Sequence, residues 1–182
     1  DNERASRYLS KFASMIRMTL NHSKEVFVTL EENIEYLKAY LEMEQLRFDD
    51  SFTYTIYTGC TVDAAETMIP SMMIQPLAEN AIWHGLMHAE GDKKIKIKFT
   101  EQDNKLVCIV EDNGIGIRQS EKLKEANKSP HHSVGLENLK KRIKIMNEKY
   151  EMDCSLSIID LNENNKNCNG TRVVLQFNLI NT

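Results

Sequence analysis

The chain has 182 residues, of which 41% are hydrophobic, and its formal net charge is −4. This length and composition allow the chain to bury a core of its own, so we expect one main domain with a helical extension. Its basic residues are scattered and form no long run, so the sequence does not indicate general affinity for nucleic acid. No segment approaches the run of about 20 apolar residues that a membrane-spanning helix needs, and the start of the chain does not resemble a secretion signal.

The four cysteines lie far apart in the sequence and include no CxxC pair. Their positions are Cys60, Cys108, Cys154 and Cys168. This spacing argues against both a zinc site and a framework of disulfides, and it favours a reducing cytoplasm as the compartment.

Two helices are predicted at the start of the chain. Residues from Arg4 to about Leu20 carry apolar side chains at helical spacing. Thr29 is followed three residues later by Glu32, the capping-box arrangement, which predicts a second helix from Leu30 to about Phe48. Both helices have wide apolar faces, so both are expected to pack against partners.

After Asp49–Asp50 the apolar spacing changes to that of strands. The alternation over Phe52–Tyr57 predicts a half-buried strand. Pro70 can occupy the first turn of a helix, and the apolar run that continues to Ile82 predicts that this helix is buried. Further elements are predicted as strands over Lys94–Thr100 and Leu106–Glu111, a helix over Gly135–Glu148, and strands over Ser155–Ile159 and Thr171–Leu179. The two strands before the helix are expected to form a hairpin, and the sum is an α+β domain preceded by helices.

Asn80 lies among apolar residues of the predicted buried helix, within the segment QPLAENAIWHG (Gln75–Gly85). A buried amide without a partner costs about 1–3 kcal/mol, so Asn80 is expected either to bind a ligand or to hydrogen-bond to neighbouring backbone. His84 lies four residues further on and can share a site with Asn80; it is either a phosphate donor or a structural residue. Glu79 faces a different part of the helix surface, which leaves its role open.

The segment EDNGIGI (Glu111–Ile117) places Asp112 at the end of a predicted strand. Gly114 and Gly116 let the backbone turn sharply and approach a flat ligand closely, although Asp-Asn-Gly is also a common turn signal. Because an unpaired buried carboxylate is costly, Asp112 is expected to meet a hydrogen-bond donor. The polar stretch Arg118–His132 is interpreted as a mobile lid.

The segment SVGLEN (Ser133–Asn138) opens the next predicted helix. The first N–H groups and the positive dipole end of a helix are suited to phosphate oxygens. Asn138 and Arg142 lie four residues apart on one face, so both can point toward the same phosphates. Arg142 is alternatively an ordinary solvated charge.

These three segments, followed by Gly170–Thr171 before the last strand, resemble the GHKL ATPase and kinase superfamily. Within it they resemble the LytS/YehU-like sensor histidine kinases, whose helix carries a very similar QPLxENAxxHG, and the resemblance spans essentially the whole chain. It implies an α+β, two-layer α/β sandwich of the Bergerat ATP-binding type, in which a mixed sheet has helices on one face and is preceded by N-terminal helices. Residues 1–48 would be the C-terminal part of a helical dimerisation region, and residues 49–182 the ATP-binding catalytic domain.

The resemblance also implies a protein histidine kinase that uses ATP and Mg²⁺. Asn80 would coordinate Mg²⁺, Glu79 is the second candidate catalytic residue, and Asp112 would accept a hydrogen bond from the adenine amine. Ser133 stands where the family usually has a glycine, which affects the expected geometry of the lid. The other candidate ATP-binding residues are His84, Gly85, Gly114, Gly116, Ser133, Gly135, Leu136, Asn138, Arg142, Gly170 and Thr171.

Pro76 lies one helical turn before Asn80, where the ATP-hydrolysing clamps of the superfamily have a water-activating glutamate. Because proline offers no base, this favours a kinase over a clamp. The family's phospho-acceptor segment is absent from the chain, so the γ-phosphate is expected to pass to a histidine upstream of it and then to a response regulator. A noncatalytic dimerisation module is the remaining interpretation. The expected partners are a second copy in a homodimer and a response regulator, without nucleic acid. The chain is expected to be a cytoplasmic domain, joined to an inner membrane only through segments missing from it.

Overall fold

The computed structural model describes residues 2–49, 51–126, 134–164 and 169–179. The helices are α1 (Asn2–His22), α2 (Leu30–Arg47), α3 (Gln75–Asn80), α4 (Ile117–Ala126), α5 (Val134–Tyr150) and α6 (Leu161–Asn164). The strands are β1 (Phe27–Thr29), β2 (Phe52–Thr58), β3 (Met68–Pro70), β4 (Lys93–Gln102), β5 (Lys105–Asp112), β6 (Ser155–Asp160) and β7 (Thr171–Asn178). A π-helical turn, Ala81–Leu86, continues α3 directly.

Five strands form one mixed sheet in the order β2-β4-β5-β7-β6. Strands β2 and β4 are parallel, whereas the pairs β4–β5, β5–β7 and β6–β7 are antiparallel. Strands β1 and β3 pair separately as a short antiparallel ribbon. The mixed sheet with its helices confirms the predicted α+β class, and β4 with β5 confirms the predicted hairpin.

The alternation of side chains along β4 shows which face of the sheet is covered. Ile95, Ile97 and Phe99 are buried, whereas the intervening lysines are exposed. Because successive side chains of a strand point to opposite faces, the helices cover the apolar face and the lysines cover the other.

Helix α2 begins where the capping box predicts. The Thr29 side chain accepts the N–H of Glu32, and the Glu32 side chain accepts the N–H of Thr29. Leu37 and Leu41 are fully buried in a core that they share with the sheet. Helix α2 therefore packs with the sheet layer, and the domain boundary between residues 48 and 49 stays a prediction.

The structure differs from the sequence prediction at Pro70. This residue ends β3, where it lies opposite Phe27 of β1, so it does not start a helix. The helix begins at Gln75 instead, with Pro76 in its first turn. Proline is tolerated both in the first turn of a helix and at the end of an edge strand. The prediction assigned Pro70 to a helix, whereas the structure places it at the end of a strand.

A second difference concerns the predicted lid. Its first part forms the regular helix α4, and the first N–H groups of that helix include that of Arg118, which donates to Asp160 Oδ2 at 3.1 Å. This contact joins residues 42 positions apart, so no local pattern reveals it. The rest of the predicted lid, with Ser133, lies outside the described residues. None of the described helices is long and apolar enough to cross a membrane.

Candidate functional site

Three polar side chains form a row across the ends of three neighbouring strands. Asp112 of β5 lies opposite Thr171 of β7, and Thr171 lies opposite Asp160 of β6. All three residues are buried, with relative exposures of 4%, 7% and 7%. Because residues opposite each other on neighbouring strands share a face, the row lies on the side of the sheet that the helices cover.

The Asp112 carboxylate is held by backbone donors. The Gly114 N–H donates to Oδ1 at 2.8 Å, and the backbone of Thr171 makes a further hydrogen bond to the carboxylate. Burial nevertheless raises the pKa of Asp112 to about 6, and the charges of Glu111 and Asp160 act in the same direction. An incoming N–H donor would stabilise the charged form of such a carboxylate.

Backbone atoms close the space around Asp112. A Cβ added to Gly85 would lie 2.5 Å from Asp112 Oδ1, and one added to Gly114 would lie 2.3 Å from the Gly85 carbonyl carbon. Gly170 has a φ of +121°, and a Cβ there would lie 1.9 Å from the Asp112 carbonyl oxygen. The contacts at Gly114 and Gly170 are with backbone, which would have to move, whereas the contact at Gly85 is with the Asp112 carboxylate itself. A side chain at any of the three positions would therefore disturb the closely packed surroundings of Asp112. We call these residues, with Thr171, Asp160 and Gly116, the sheet-edge site.

The helical segment 75–86 leads to this site. Its last turn contacts Asp112 through Gly85, and its half-buried residues Asn80 and His84 lie further toward the start of the segment. The second half, Ala81–Leu86, is π-helical. A π turn uses i→i+5 hydrogen bonds and recurs at functional sites. The regular i, i+4 relation predicted for Asn80 and His84 therefore does not extend through the whole segment.

A cleft of about 600 Å³ opens between α5, the start of α3 and the connection from α1 to β1. Glu79, Gly135, Asn138 and Arg142 line it. A Cβ added to Gly135 would make ordinary contacts, at 3.7 Å from Pro76 Cβ and 3.9 Å from Glu79 Oε2. We call this space the interhelical cleft, and it is much less closely packed than the sheet-edge site.

Charges in the interhelical cleft are poorly solvated. Burial lowers the pKa of Arg142, and its Nε is buried without a hydrogen-bond partner among the described residues. Partial burial raises the pKa of Glu79, although the residue as a whole is exposed. Lys141 and Lys149 also line the cleft and are exposed to solvent. An anionic group that enters here would pair with the poorly solvated Arg142 and lie near these two lysines, which favours binding.

Helix α2 contacts the helical segment 75–86 through polar and aromatic side chains. The Tyr36 hydroxyl donates to Gln75 Oε1 at 2.7 Å and also lies 3.0 Å from Thr19 Oγ1 of α1. The Arg47 guanidinium carbon lies 4.7 Å from the centre of the Trp83 ring. These contacts connect both N-terminal helices with the helix that carries Asn80.

The predicted site residues therefore fall into two groups joined by one helical segment. The sheet-edge group consists of Gly85, Asp112, Gly114, Gly116, Gly170 and Thr171. The cleft group consists of Glu79, Gly135, Asn138 and Arg142. Asn80 and His84 lie on the segment between the groups, Leu136 packs against the core, and Ser133 lies outside the described residues.

Sequence reasoning missed Asp160 and Asn162. Asp160 Oδ1 accepts the N–H of Asn162 at 3.0 Å, and Asn162 Nδ2 donates to the Ile115 carbonyl at 3.1 Å. The signal that identified Asp112, a carboxylate at the end of a strand, also applies to Asp160. It was overlooked because no recognisable motif surrounds that residue.

Two protein families match this chain. Residues 67–181 match the family described as histidine kinase-, DNA gyrase B-, and HSP90-like ATPase. Residues 1–52 match the family described as histidine kinase. Together the two matches extend over nearly all of the chain.

Curated relatives match at about 30% identity. The sensor protein LytS of Oceanobacillus iheyensis is 30% identical over 149 residues, which cover 79% of this chain and 25% of that protein. The sensor histidine kinase YpdA of Escherichia coli strain K12 is 31% identical over 144 residues, which cover 78% of this chain and 25% of that protein. The chain thus spans about a quarter of the length of these two relatives.

Solved structures share the fold at low sequence identity. The mycobacterial sensor histidine kinase MprB aligns with a TM-score of 0.57 at 13% identity, covering 86% of this chain and 98% of that one. The catalytic domain of histidine kinase ThkA aligns with a TM-score of 0.53 at 19% identity, covering 84% of this chain and 94% of that one. At these identities the likeness concerns the fold.

Proposed function

Because this chain belongs to the family of histidine kinase-, DNA gyrase B-, and HSP90-like ATPases, we propose that it binds Mg-ATP as the catalytic part of a sensor histidine kinase. The observation that carries the proposal is the buried Asp112 carboxylate, enclosed by the backbones of Gly85, Gly114 and Gly170. In the proposed complex Asp112 accepts a hydrogen bond from the exocyclic amine of adenine. Because the glycines carry no side chains, the flat base can approach Asp112 closely, with Gly116 and Thr171 beside it.

The triphosphate is proposed to extend along the helical segment 75–86 toward the interhelical cleft. The amide oxygen of Asn80 is a neutral, hard donor on a half-buried position, which fits a Mg²⁺ ion that takes few protein ligands and keeps its phosphate oxygens and waters. Bound there, Mg²⁺ would neutralise charge on the phosphates. The start of α5 at Gly135 supplies N–H groups, and Asn138 and Arg142 orient the terminal phosphate.

The proposed reaction is phosphoryl transfer to a histidine outside this chain and then to a response regulator. Pro76 supports transfer over hydrolysis, because it lies in the first turn of α3 and offers no base to activate water. Positioning and charge neutralisation would supply most of the catalysis. Since the match covers only 25% of a relative named as a sensor protein, we propose that the chain is the cytoplasmic catalytic end of an inner-membrane sensor.

A homodimer is proposed through α1. Leu9, Phe12, Ile16 and Leu20 form a stripe at helical spacing and are 63%, 39%, 41% and 56% exposed. A second copy would cover this stripe in a helical bundle. Sedimentation over a range of concentrations tests the proposal, because a chain that stays monomeric throughout would contradict it.

Calorimetric titration with Mg-ATP tests the nucleotide site. We expect Asn80→Ala to weaken binding about tenfold or more, the loss of about 1.4 kcal/mol or more, and to abolish the dependence on Mg²⁺. The matched control is Gln102→Ala, an exposed amide at the end of the β4–β5 hairpin remote from Asp112, which should bind as the unmodified protein does. If Asn80→Ala bound Mg-ATP as tightly as the unmodified protein and still required Mg²⁺, Asn80 would not be a metal ligand.

Transfer of labelled phosphate separates the three functional classes. A histidine kinase transfers label from ATP to a histidine when the upstream segment is present. Steady phosphate release without transfer would instead indicate an ATP-hydrolysing clamp. A protein that binds no nucleotide would be a noncatalytic dimerisation module, and the proposed function would fail.

A further inference from the structure

The segment Asn113–Arg118 consists of the loop after β5 and the first two residues of α4, and we refer to it as the loop Asn113–Arg118. It borders the proposed adenine site and is held from two sides. On one side the Ile115 N–H donates to the Gly85 carbonyl at 3.2 Å. There the Asn113 side chain also binds backbone, with Nδ2 donating to the Asp92 carbonyl at 2.7 Å. These contacts attach the loop to the helical segment 75–86 and to the start of β4.

Asp160 and Asn162 hold the other side of the same loop. Asp160 Oδ2 accepts the Arg118 N–H at 3.1 Å, and Asn162 Nδ2 donates to the Ile115 carbonyl at 3.1 Å. Between these points Gly116 has a φ of +78°, and a Cβ there would lie 2.2 Å from Asn162 Nδ2. The loop backbone therefore lies directly against both side chains.

The same two side chains are themselves fixed to the sheet-edge site. Asp160 Oδ1 accepts the Asn162 N–H at 3.0 Å, which orients the turn that follows β6. The N–H of Leu161, between them, donates to the Gly170 carbonyl at 3.0 Å. Gly170 in turn lies against the backbone of Asp112. The loop and the adenine-binding carboxylate thus share one rigid support.

We propose that Asp160 and Asn162 are positioning residues for nucleotide binding, which hold the loop Asn113–Arg118 in the conformation that receives adenine. They act through the loop backbone and do not touch the base. A loop that is already ordered loses less conformational entropy when the ligand binds, so the affinity is higher. This inference rests on the proposed binding of ATP at Asp112.

The test compares Asp160→Asn, Asn162→Ala and the control Asp153→Asn. In the unmodified protein the two Asp160 oxygens accept the N–H groups of Arg118 and Asn162. Asparagine at position 160 has only one side-chain oxygen, so it can keep only one of these bonds. Alanine at position 162 removes the side-chain donor to the Ile115 carbonyl. Asp153 lies just before the start of β6, at the end opposite Asp160, and is exposed. The same Asp→Asn change there removes only a surface ion pair with Lys105, so nucleotide binding and exchange in the loop should not change. Asn162→Ala decides the question if Asp160→Asn fails to fold.

Two measurements on the same proteins give the answer. Calorimetry with ATP, ADP and GTP should show about tenfold weaker binding of both adenine nucleotides, with less discrimination against GTP. Amide hydrogen exchange should accelerate over Asn113–Arg118 while the strands β4 and β7 keep their protection. A general loss of structure would accelerate exchange in the strands as well, and so would contradict a positioning role.

The outcomes also separate this inference from the proposed function. Variants that fold, bind ATP within twofold of the unmodified protein and exchange at unchanged rates in the loop would overturn the inference while leaving ATP binding intact. If the unmodified chain binds no nucleotide, the proposed function fails. Hydrogen exchange over the loop would then still decide whether Asp160 and Asn162 hold it.

Discussion

The sheet-edge site and the interhelical cleft differ in how completely the protein fills them. At the sheet edge, Gly85 and Gly114 approach so closely that a Cβ on either would overlap a neighbouring group. In the cleft, Gly135 has room for a Cβ at ordinary contact distances, and the Arg142 Nε has no partner among the described residues. The sheet-edge site is thus closely packed, whereas the interhelical cleft contains a buried polar atom without a hydrogen-bond partner among the described residues.

This difference matches the two tasks proposed for the molecule. A base that is always adenine can be received by a fixed, closely packed surface, because its shape does not change during the reaction. The terminal phosphate must leave with its acceptor, so the groups that contact it need to release it again. Unpaired charges in an open cleft are suited to that temporary contact.

Gly114→Ala is expected to have the largest effect. Its Cβ would lie 2.3 Å from the Gly85 carbonyl carbon, and overpacking of this kind costs about 1–3 kcal/mol of stability. Movement of the Gly85 backbone would also displace the groups that surround Asp112. We expect a lower unfolding temperature and about a hundredfold weaker binding of Mg-ATP, equivalent to about 2.7 kcal/mol, measured by calorimetry.

Gly135→Ala in the cleft is the matched control for this substitution. The nearest atoms to its Cβ would be 3.7 and 3.9 Å away, and alanine favours a helix over glycine by about 1 kcal/mol. The unfolding temperature should therefore stay the same or rise. If Gly114→Ala were as stable and bound ATP as tightly as Gly135→Ala, the contrast between the two regions would be lost.

The pH dependence of stability sharpens the comparison at the sheet edge. Burial raises the pKa of Asp112 from 3.8 to about 6, so the folded protein keeps this proton after the unfolded chain has released it. Asp112 therefore contributes stability that is present below about pH 4 and is lost as the pH rises through about 6. The loss from this residue is at most about 3 kcal/mol.

Denaturant unfolding of the unmodified protein and of Asp112→Asn measures this contribution. Glu44 and Glu79 also have raised pKa values, but they titrate in both proteins and cancel in the difference. Between about pH 4 and pH 6 the free energy of unfolding of the unmodified protein should fall relative to that of Asp112→Asn. Above this range the difference between the two proteins should be constant. Two parallel pH profiles would mean that Asp112 does not carry a buried charge.

Arg142→Met is expected to have the smallest effect on stability and a selective effect on the reaction. Methionine keeps much of the length of the side chain and removes a poorly solvated charge, so stability should change by less than about 1 kcal/mol. Phosphoryl transfer by the proposed kinase should slow about tenfold, because one group proposed to orient the terminal phosphate is lost. Lys144→Met, at an exposed position on the same helix, is the control, and equal transfer rates in the two variants would exclude a role for Arg142.

Features encoded by nearby residues were predictable from the sequence. The capping box of Thr29 and Glu32 marked the start of α2 correctly, because both partners lie within one turn. The position of Asp112 at the end of β5 followed from the alternation of the strand before it. The α+β class was predictable for the same reason, since each element has its own spacing of apolar residues.

Features that depend on distant contacts were not predictable. The helix start was placed at Pro70 because the pairing of β3 with β1 joins segments about 40 residues apart. The regular helix α4 was missed because Asp160, which accepts its Arg118 N–H, follows 42 positions later. Asn138 and Arg142 were placed on one helix face, but only the packing of α5 against α3 shows that this face borders the cleft. The roles of these residues toward ATP stay predictions.

The glycine backbones around Asp112 have a consequence for inhibitor design. An enlarged nucleotide fits a binding site only if neighbouring groups make room for it. At Gly85, Gly114 and Gly170 there is no side chain to shorten, so among the described residues of the sheet-edge site the room for a substituted adenine would have to come from Asp112, Thr171 or Asp160. Compounds that mimic the unsubstituted base should therefore meet few resistance substitutions that keep the protein folded.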